Sequence, residues 1–156
     1  MQNELIDLIF DEFKQNFRHF FDPCDRGFVN EVIINMLARR YQRKKTGKLQ
    51  IIHPEHKVEH LYFTIEGAFG LFHPTLKIKG QPHIHQPAVA LSRFTVFGDY
   101  QLLFDLYPRM EFCPFFKNTT TSRDVIEQLG DDLDVEEHRV MCLDAEKFHE
   151  LCDLYP

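Results

Sequence analysis

The sequence predicts a mixed α+β domain with helices at its N-terminal end, a roll of short strands in the middle and a helix that closes it. Three observations carry this. Apolar residues recur at three- and four-residue steps over residues 4–20, the period of an amphipathic helix. Short apolar stretches punctuated by Gly and Pro follow, with few long helices among them, which is the pattern of a β-roll or barrel. Near the end, Asp144 stands as an N-cap ahead of Phe148, Leu151 and Cys152 at helical spacing.

In order, the first helix carries Leu5, Ile6, Ile9, Phe10, Phe13, Phe17, Phe20 and Phe21 on one side and Asp7, Asp11, Glu12, Lys14 and Arg18 on the other. So wide an aromatic stripe needs cover, either from this domain's own core or from a neighbouring subunit or a larger assembly docked on residues 5–21. Asp22-Pro23-Cys24-Asp25-Arg26-Gly27 breaks that helix, and Phe28, Val29, Val32, Ile33, Met36 and Leu37 form a second helical stripe. The basic run Arg39-Arg40-Tyr41-Gln42-Arg43-Lys44-Lys45 fits an exposed edge strand, whose charges discourage edge-to-edge pairing, better than it fits a lipid-headgroup site.

Gln50 to Ile52 and Leu61 to Ile65 read as strands around a charged turn, and Leu71-Phe72 is expected to continue the second past Gly67 and Gly70. A long, turn-rich loop is expected near 73–90. Leu91, Phe94 and Val96 alternate with Ser92, Arg93 and Thr95 as in a half-buried strand, which meets Gly98 and Asp99 and passes into Gln101-Leu102-Leu103-Phe104, one turn of helix. Residues 118–138 form a second surface insertion, with Val125, Ile126 and Leu129 placed to give it a short helix. Arg139 to Leu143 is the last strand before the closing helix.

Totals narrow the function. The 156 residues suit one domain, and 16 Phe with no Trp suggest a Phe-packed interior. A net charge of −6 argues against a nucleic-acid binder. No run approaches the ~20 apolar residues of a membrane span, and no basic n-region opens the chain. Cys24, Cys113, Cys142 and Cys152 are widely spaced, as in buried free thiols of a cytoplasmic protein. His53, His56 and His60, with the His83–His85 pair, have spacings a zinc ion could use, but neither group has a cysteine nearby; exposed loop histidines account for them, and no metal site is expected. No nucleophile elbow, P-loop or dinucleotide fingerprint is present, so no enzyme is expected.

The segment from Leu61-Tyr62-Phe63-Thr64-Ile65-Glu66-Gly67 to Phe97-Gly98-Asp99 resembles the cyclic-nucleotide-binding domain family, with its Tyr-Phe-Ile-x-x-Gly strand and Phe-Gly-Glu phosphate-binding cassette. Phe20 to Val29 looks like the junction between linker helices and binding barrel in cyclic-nucleotide-gated and hyperpolarisation-activated channels. The resemblance covers most of residues 17–156. It implies a C-linker-like segment over 1–27, a binding-like domain over 28–156 with roughly eight short strands, and a parent or partner that is a cation channel, potassium-selective by analogy. It also implies a ligand site in which Gly98 and Asp99 meet the ribose and Arg109, beside Tyr100 and Met110, meets the cyclic phosphate of cAMP or cGMP.

Arg109 is the only Arg or Lys between Arg93 and Lys117, and a guanidinium holds phosphate oxygens bidentately. The chain departs from the family at several points. Asp99 is one methylene shorter than the family Glu, and Met110 stands where a small Thr, Ser or Ala is usual. The helix that would close over the ligand is not found after residues 144–156. These departures predict a degenerate, empty or self-filled pocket with no resident cofactor. The alternative is a free-standing, non-catalytic interaction subunit that docks through its Phe-rich first helix.

Overall fold

The computed structural model describes residues 2–42, 51–74, 87–117 and 121–156, with side chains described from Leu8 onward. The helices are α1 (Gln2–Asn16), α2 (Arg18–Phe21), α3 (Arg26–Ile34), α4 (Asp99–Leu103), α5 (Arg123–Leu129) and α6 (Ala145–Leu154). The strands are β1 (Leu37–Gln42), β2 (His60–Glu66), β3 (Phe69–Phe72), β4 (Val89–Leu91), β5 (Val96–Phe97), β6 (Glu111–Pro114) and β7 (Glu137–Asp144). Arg43 to Gln50, His83, His85 and the first residues of the 118–138 insertion lie outside the described residues, as do the side chains of Leu5 and Ile6.

Two antiparallel sheets make the roll: a four-stranded sheet in the order β1-β7-β2-β5 and a three-stranded sheet in the order β4-β3-β6. The period of two along β2 sends its side chains to two different partners. Leu61 and Phe63 face the helices, where the Phe63 ring lies 5.1 Å from Phe17, 5.6 Å from Phe21 and 5.6 Å from Phe13. Tyr62 faces the other sheet, 6.1 Å from Phe112. Inside the roll Phe97, Phe112 and Phe69 stack almost parallel, at 4.5 and 5.3 Å, so aromatic rings fill the space between the sheets.

Several expectations need correction. The predicted 4–20 helix is interrupted at Phe17, whose backbone leaves the helical region (φ −114°, ψ 28°) while its side chain is fully buried. The second half of the Phe stripe is core: Phe17 and Phe21 are buried and Phe13 and Phe20 pack against them, whereas Leu8 and Ile9 are exposed. Leu71 and Phe72 do not continue β2. The chain turns at Gly67 (φ +87°) and enters the second sheet as β3.

The strand expected through 91–96 is two strands, divided at Phe94, which adopts a left-handed φ of 65°. Its amide donates to the Thr64 carbonyl at 2.7 Å, which holds the kink and lets β4 and β5 join different sheets. The 118–138 insertion is more than surface. It contains α5 as expected, and Leu129 and Leu133 are buried with Ala68, Phe72, Cys113 and Phe115 in a second, smaller core. Of Gln50 to Ile52, Ile52 makes one bridge, to Phe112. In the larger core Leu61, Phe63 and Leu143 are fully buried, and Ile65, Val96 and Phe97 are half-buried against it.

Two expectations hold, the edge strand and the last helix cap. β1 is an edge strand with Arg39 and Arg40 exposed, and the Asp144 carboxylate caps α6 by accepting from the Glu146 amide at 2.8 Å. No helix among the described residues is long and apolar enough to cross a membrane.

Candidate functional site

The segment expected to form the cassette runs from β5 through Gly98 into α4. Gly98 is left-handed (φ +98°), a conformation in which a side chain is strained. A Cβ at this position would stand 2.9 Å from the His60 carbonyl oxygen and 3.1 Å from Val58, so the glycine lets the cassette close on the start of β2. The short helix is tied to the end of the chain by His149 on α6, whose Nε2–H donates to the Leu102 carbonyl at 2.9 Å. Sequence reasoning passed over His149, and nothing in its local pattern marks it.

Beyond α4 a cavity of about 380 Å³ opens at the end of the roll. Leu71 and Phe97 come to it from the strands, and Tyr100, Gln101, Leu106 and Tyr107 from the cassette and the loop after it. Pro108, Arg109 and Met110 complete it. The structure thus brings Tyr100, Arg109 and Met110 into one cavity, while Gly98 and Asp99 are not among its lining residues. Neither the Asp99 nor the Arg109 side chain makes a hydrogen bond or ion pair with another described residue. Asp105, the nearest acid in sequence on the loop side, is bound to Lys57 at 2.8 Å, which holds its carboxyl below the usual range.

Other polar groups sit elsewhere in the roll, some at its edge and some buried. At the open edge of the larger sheet, Arg39 approaches His60 Nε2 at 3.1 Å, and burial with the neighbouring guanidinium keeps the imidazole pKa down. Burial pushes the Tyr62 phenol far above its usual range. His138, a core residue missed in the sequence, is 1% exposed, and its Nε2–H donates to the Phe115 carbonyl at 3.1 Å. Its Nδ1 has no partner among the described residues, and burial lowers its pKa. Gly67 leaves room for this ring: a Cβ there would lie 2.6 Å from it. His53 and His56 have ring centroids 5.0 Å apart, and the described residues contain no cluster of three or more His, Cys, Asp or Glu fit to hold a metal.

No protein-family profile matches this sequence, and no curated protein matches it. Solved structures do. The regulatory domain of Toxoplasma gondii PKA with cAMP aligns with a TM-score of 0.61 at 14% identity over 91% of this chain and 44% of its own. The fold is that of a cyclic-nucleotide-binding domain. The same fold is matched in the regulatory subunit of a cAMP-independent protein kinase A from Trypanosoma cruzi bound to guanosine (TM-score 0.61, 13% identity, 93% of this chain and 39% of that one). It is matched again in the sensor domain of the transcriptional regulator DNR from Pseudomonas aeruginosa (TM-score 0.57, 8% identity, 92% and 82%). The chain therefore spans about two fifths of the length of the kinase regulatory-subunit structures it matches. In this fold β5, α4 and Arg109 follow one another in chain order, and the cavity lies beside α4.

Proposed function

We propose that this chain is a non-catalytic regulatory module that keeps the cyclic-nucleotide-binding fold and does not respond to cyclic nucleotides. The observation that carries this is the cassette's geometry: Arg109 faces the cavity while Gly98 is packed on the His60 carbonyl. A ribose would lack the partners the family supplies, and the stack of Phe97, Phe112 and Phe69 fills the roll's interior. That a trypanosomal neighbour is described as cAMP-independent supports separating the fold from that ligand.

A regulatory module needs a route from cassette to partner. Here α4 is bonded to α6 through His149, and α6 packs on α3 through Phe28, whose ring lies 6.4 Å from Phe148 and 6.3 Å from Tyr155. The exposed middle of α1, with Leu8 and Ile9, is the surface this reading gives to a larger assembly. The channel-like segment Phe20 to Val29 favours a cation channel as that assembly.

The test is thermal unfolding with cAMP and with cGMP at millimolar concentration. A ligand at 100 times its dissociation constant adds about 2.7 kcal/mol, a readily measured shift. No shift is expected with either nucleotide. A shift that Arg109→Ala abolishes would overturn the proposal and restore a nucleotide sensor.

A further inference from the structure

The cavity beside α4 has a composition that a nucleotide does not explain. Its walls are Leu71, Phe97, Leu106, Pro108 and Met110 together with the faces of two tyrosines. Among the described residues no carboxylate lines it, although the chain carries six more acidic than basic residues. Its one full charge is the Arg109 guanidinium, exposed and without an ion-pair partner among the described residues. Four other exposed arginines of the domain are held by acids, Arg18 by Asp22, Arg93 by Asp132, Arg123 by Glu127 and Arg139 by Glu66. Arg26 shares the lack of an acid partner among the described residues, but it lies on α3, away from this cavity. Lys57, the other cation near this rim, is already taken by Asp105 and lies 5.9 Å from the Tyr107 ring centroid.

A further observation concerns the rim itself. Tyr100, Leu103, Phe104, Leu106 and Tyr107 are between 45% and 60% exposed, a concentration of solvated apolar surface in one short segment. Contiguous exposed apolar surface marks a binding site more often than it is left bare. Pockets for small organic ligands are apolar, with a few polar groups that fix orientation, and this cavity falls within their usual size range.

We infer that this cavity binds a small hydrophobic monocarboxylate, with its apolar or aromatic body against Phe97, Tyr100, Leu106 and Tyr107 and its carboxylate on Arg109. A carboxylate matches the planar fork of a guanidinium with two parallel hydrogen bonds. The Gln101 amide, also in the lining, offers a further donor. A cyclic nucleotide would instead bring a polar sugar to an apolar wall. This inference rests on the reading that the cassette cavity is the module's ligand site and does not take cyclic nucleotide.

The chain has no Trp, so indole fluorescence reports a bound indole probe without protein background. Three probes share one body and differ in charge: indole-3-acetate, indole-3-acetamide and tryptamine. The purified chain should bind the acetate at least about tenfold more tightly than the acetamide, as expected for loss of one charge-assisted pair, and tryptamine least of all. Arg109→Gln should reduce acetate affinity by a similar factor and leave acetamide binding and the unfolding temperature unchanged. Tyr107→Ser should weaken the acetate and the acetamide alike. Equal affinity for the three probes, or no binding by any, would overturn the inference and leave the nucleotide-insensitive module standing. Displacement of the acetate by micromolar cAMP would instead overturn that underlying reading.

Discussion

Two segments of this chain are rich in aromatic residues, and the fold treats them oppositely. Phe13, Phe17, Phe20 and Phe21 are gathered around Phe63 of β2, and Phe17 loses all contact with solvent. Tyr100, Leu103, Phe104, Leu106 and Tyr107 are equally apolar yet stay mostly in water, even though Leu102 between them is buried. The difference lies in what each segment faces. The first lies across the outer face of a four-stranded sheet, which offers it a full layer of side chains. The second straddles the open end of the roll, where the strands stop and nothing in the described residues covers it. Apolar density in a sequence therefore marks a demand for cover and not its source.

The largest effect expected is at the centre of the covered segment. Phe63→Ala should cost about 3–5 kcal/mol in chemical denaturation, because the ring is fully buried among other rings. A loss under about 1 kcal/mol would mean that the helices do not rest on this sheet face. Next in size, Gly98→Ala places a side chain at φ +98° and 2.9 Å from the His60 carbonyl, for a cost of about 1–3 kcal/mol. An unchanged midpoint would indicate that the cassette seats differently from the glycine contact described.

A pH titration probes the roll between the two segments. His138 has its pKa lowered by burial, and His60 is shifted the same way, so the folded state takes up fewer protons than the unfolded one. Their stabilising contribution is therefore complete above the ordinary histidine pKa of about 6.5 and falls as pH drops below it, by up to about 1.4 kcal/mol per unit for each group. His138→Gln should flatten the loss measured between about pH 6.5 and 5. A slope unaltered by that change would remove His138 as its source. The smallest effect belongs to the open segment: Phe104→Ser, at a position 60% exposed, should move stability by less than about 0.5 kcal/mol. A larger loss would show that the segment is covered after all, and a solution mass above the monomer would name a second copy as the cover.

Much of the fold was legible in local pattern. The 3.6-residue period identified α1 and α3, the glycine after Phe97 marked the start of α4, and Asp144 announced α6 by its capping oxygen. What local pattern could not carry was the partition between sheets. The alternation through Leu91 to Val96 is genuine, but a single left-handed residue at Phe94, held by the Thr64 carbonyl, divides it. Such a conformation is uncommon for an aromatic residue and leaves no trace in hydropathy. At the site, residue order pointed to Arg109, Tyr100 and Met110, which do share a cavity. It could not disclose that Gly98 turns toward His60, since that depends on how β2 and α4 approach in space.

The strand order of the larger sheet has its own consequence for how the molecule is made. β7 pairs with both β1 and β2, and the pairing of Leu37 on β1 with Cys142 on β7 spans most of the sequence. A ribosome releases β1 and β2 long before their shared neighbour exists. During that interval the helix-facing phenylalanines have no finished platform and both strand edges stand open to other nascent chains. Closure of long loops before native contacts form is slow, and exposed edges invite misassembly. The arginines on β1 are thus of use before the fold is complete, keeping an unpaired strand soluble while it waits for its partner.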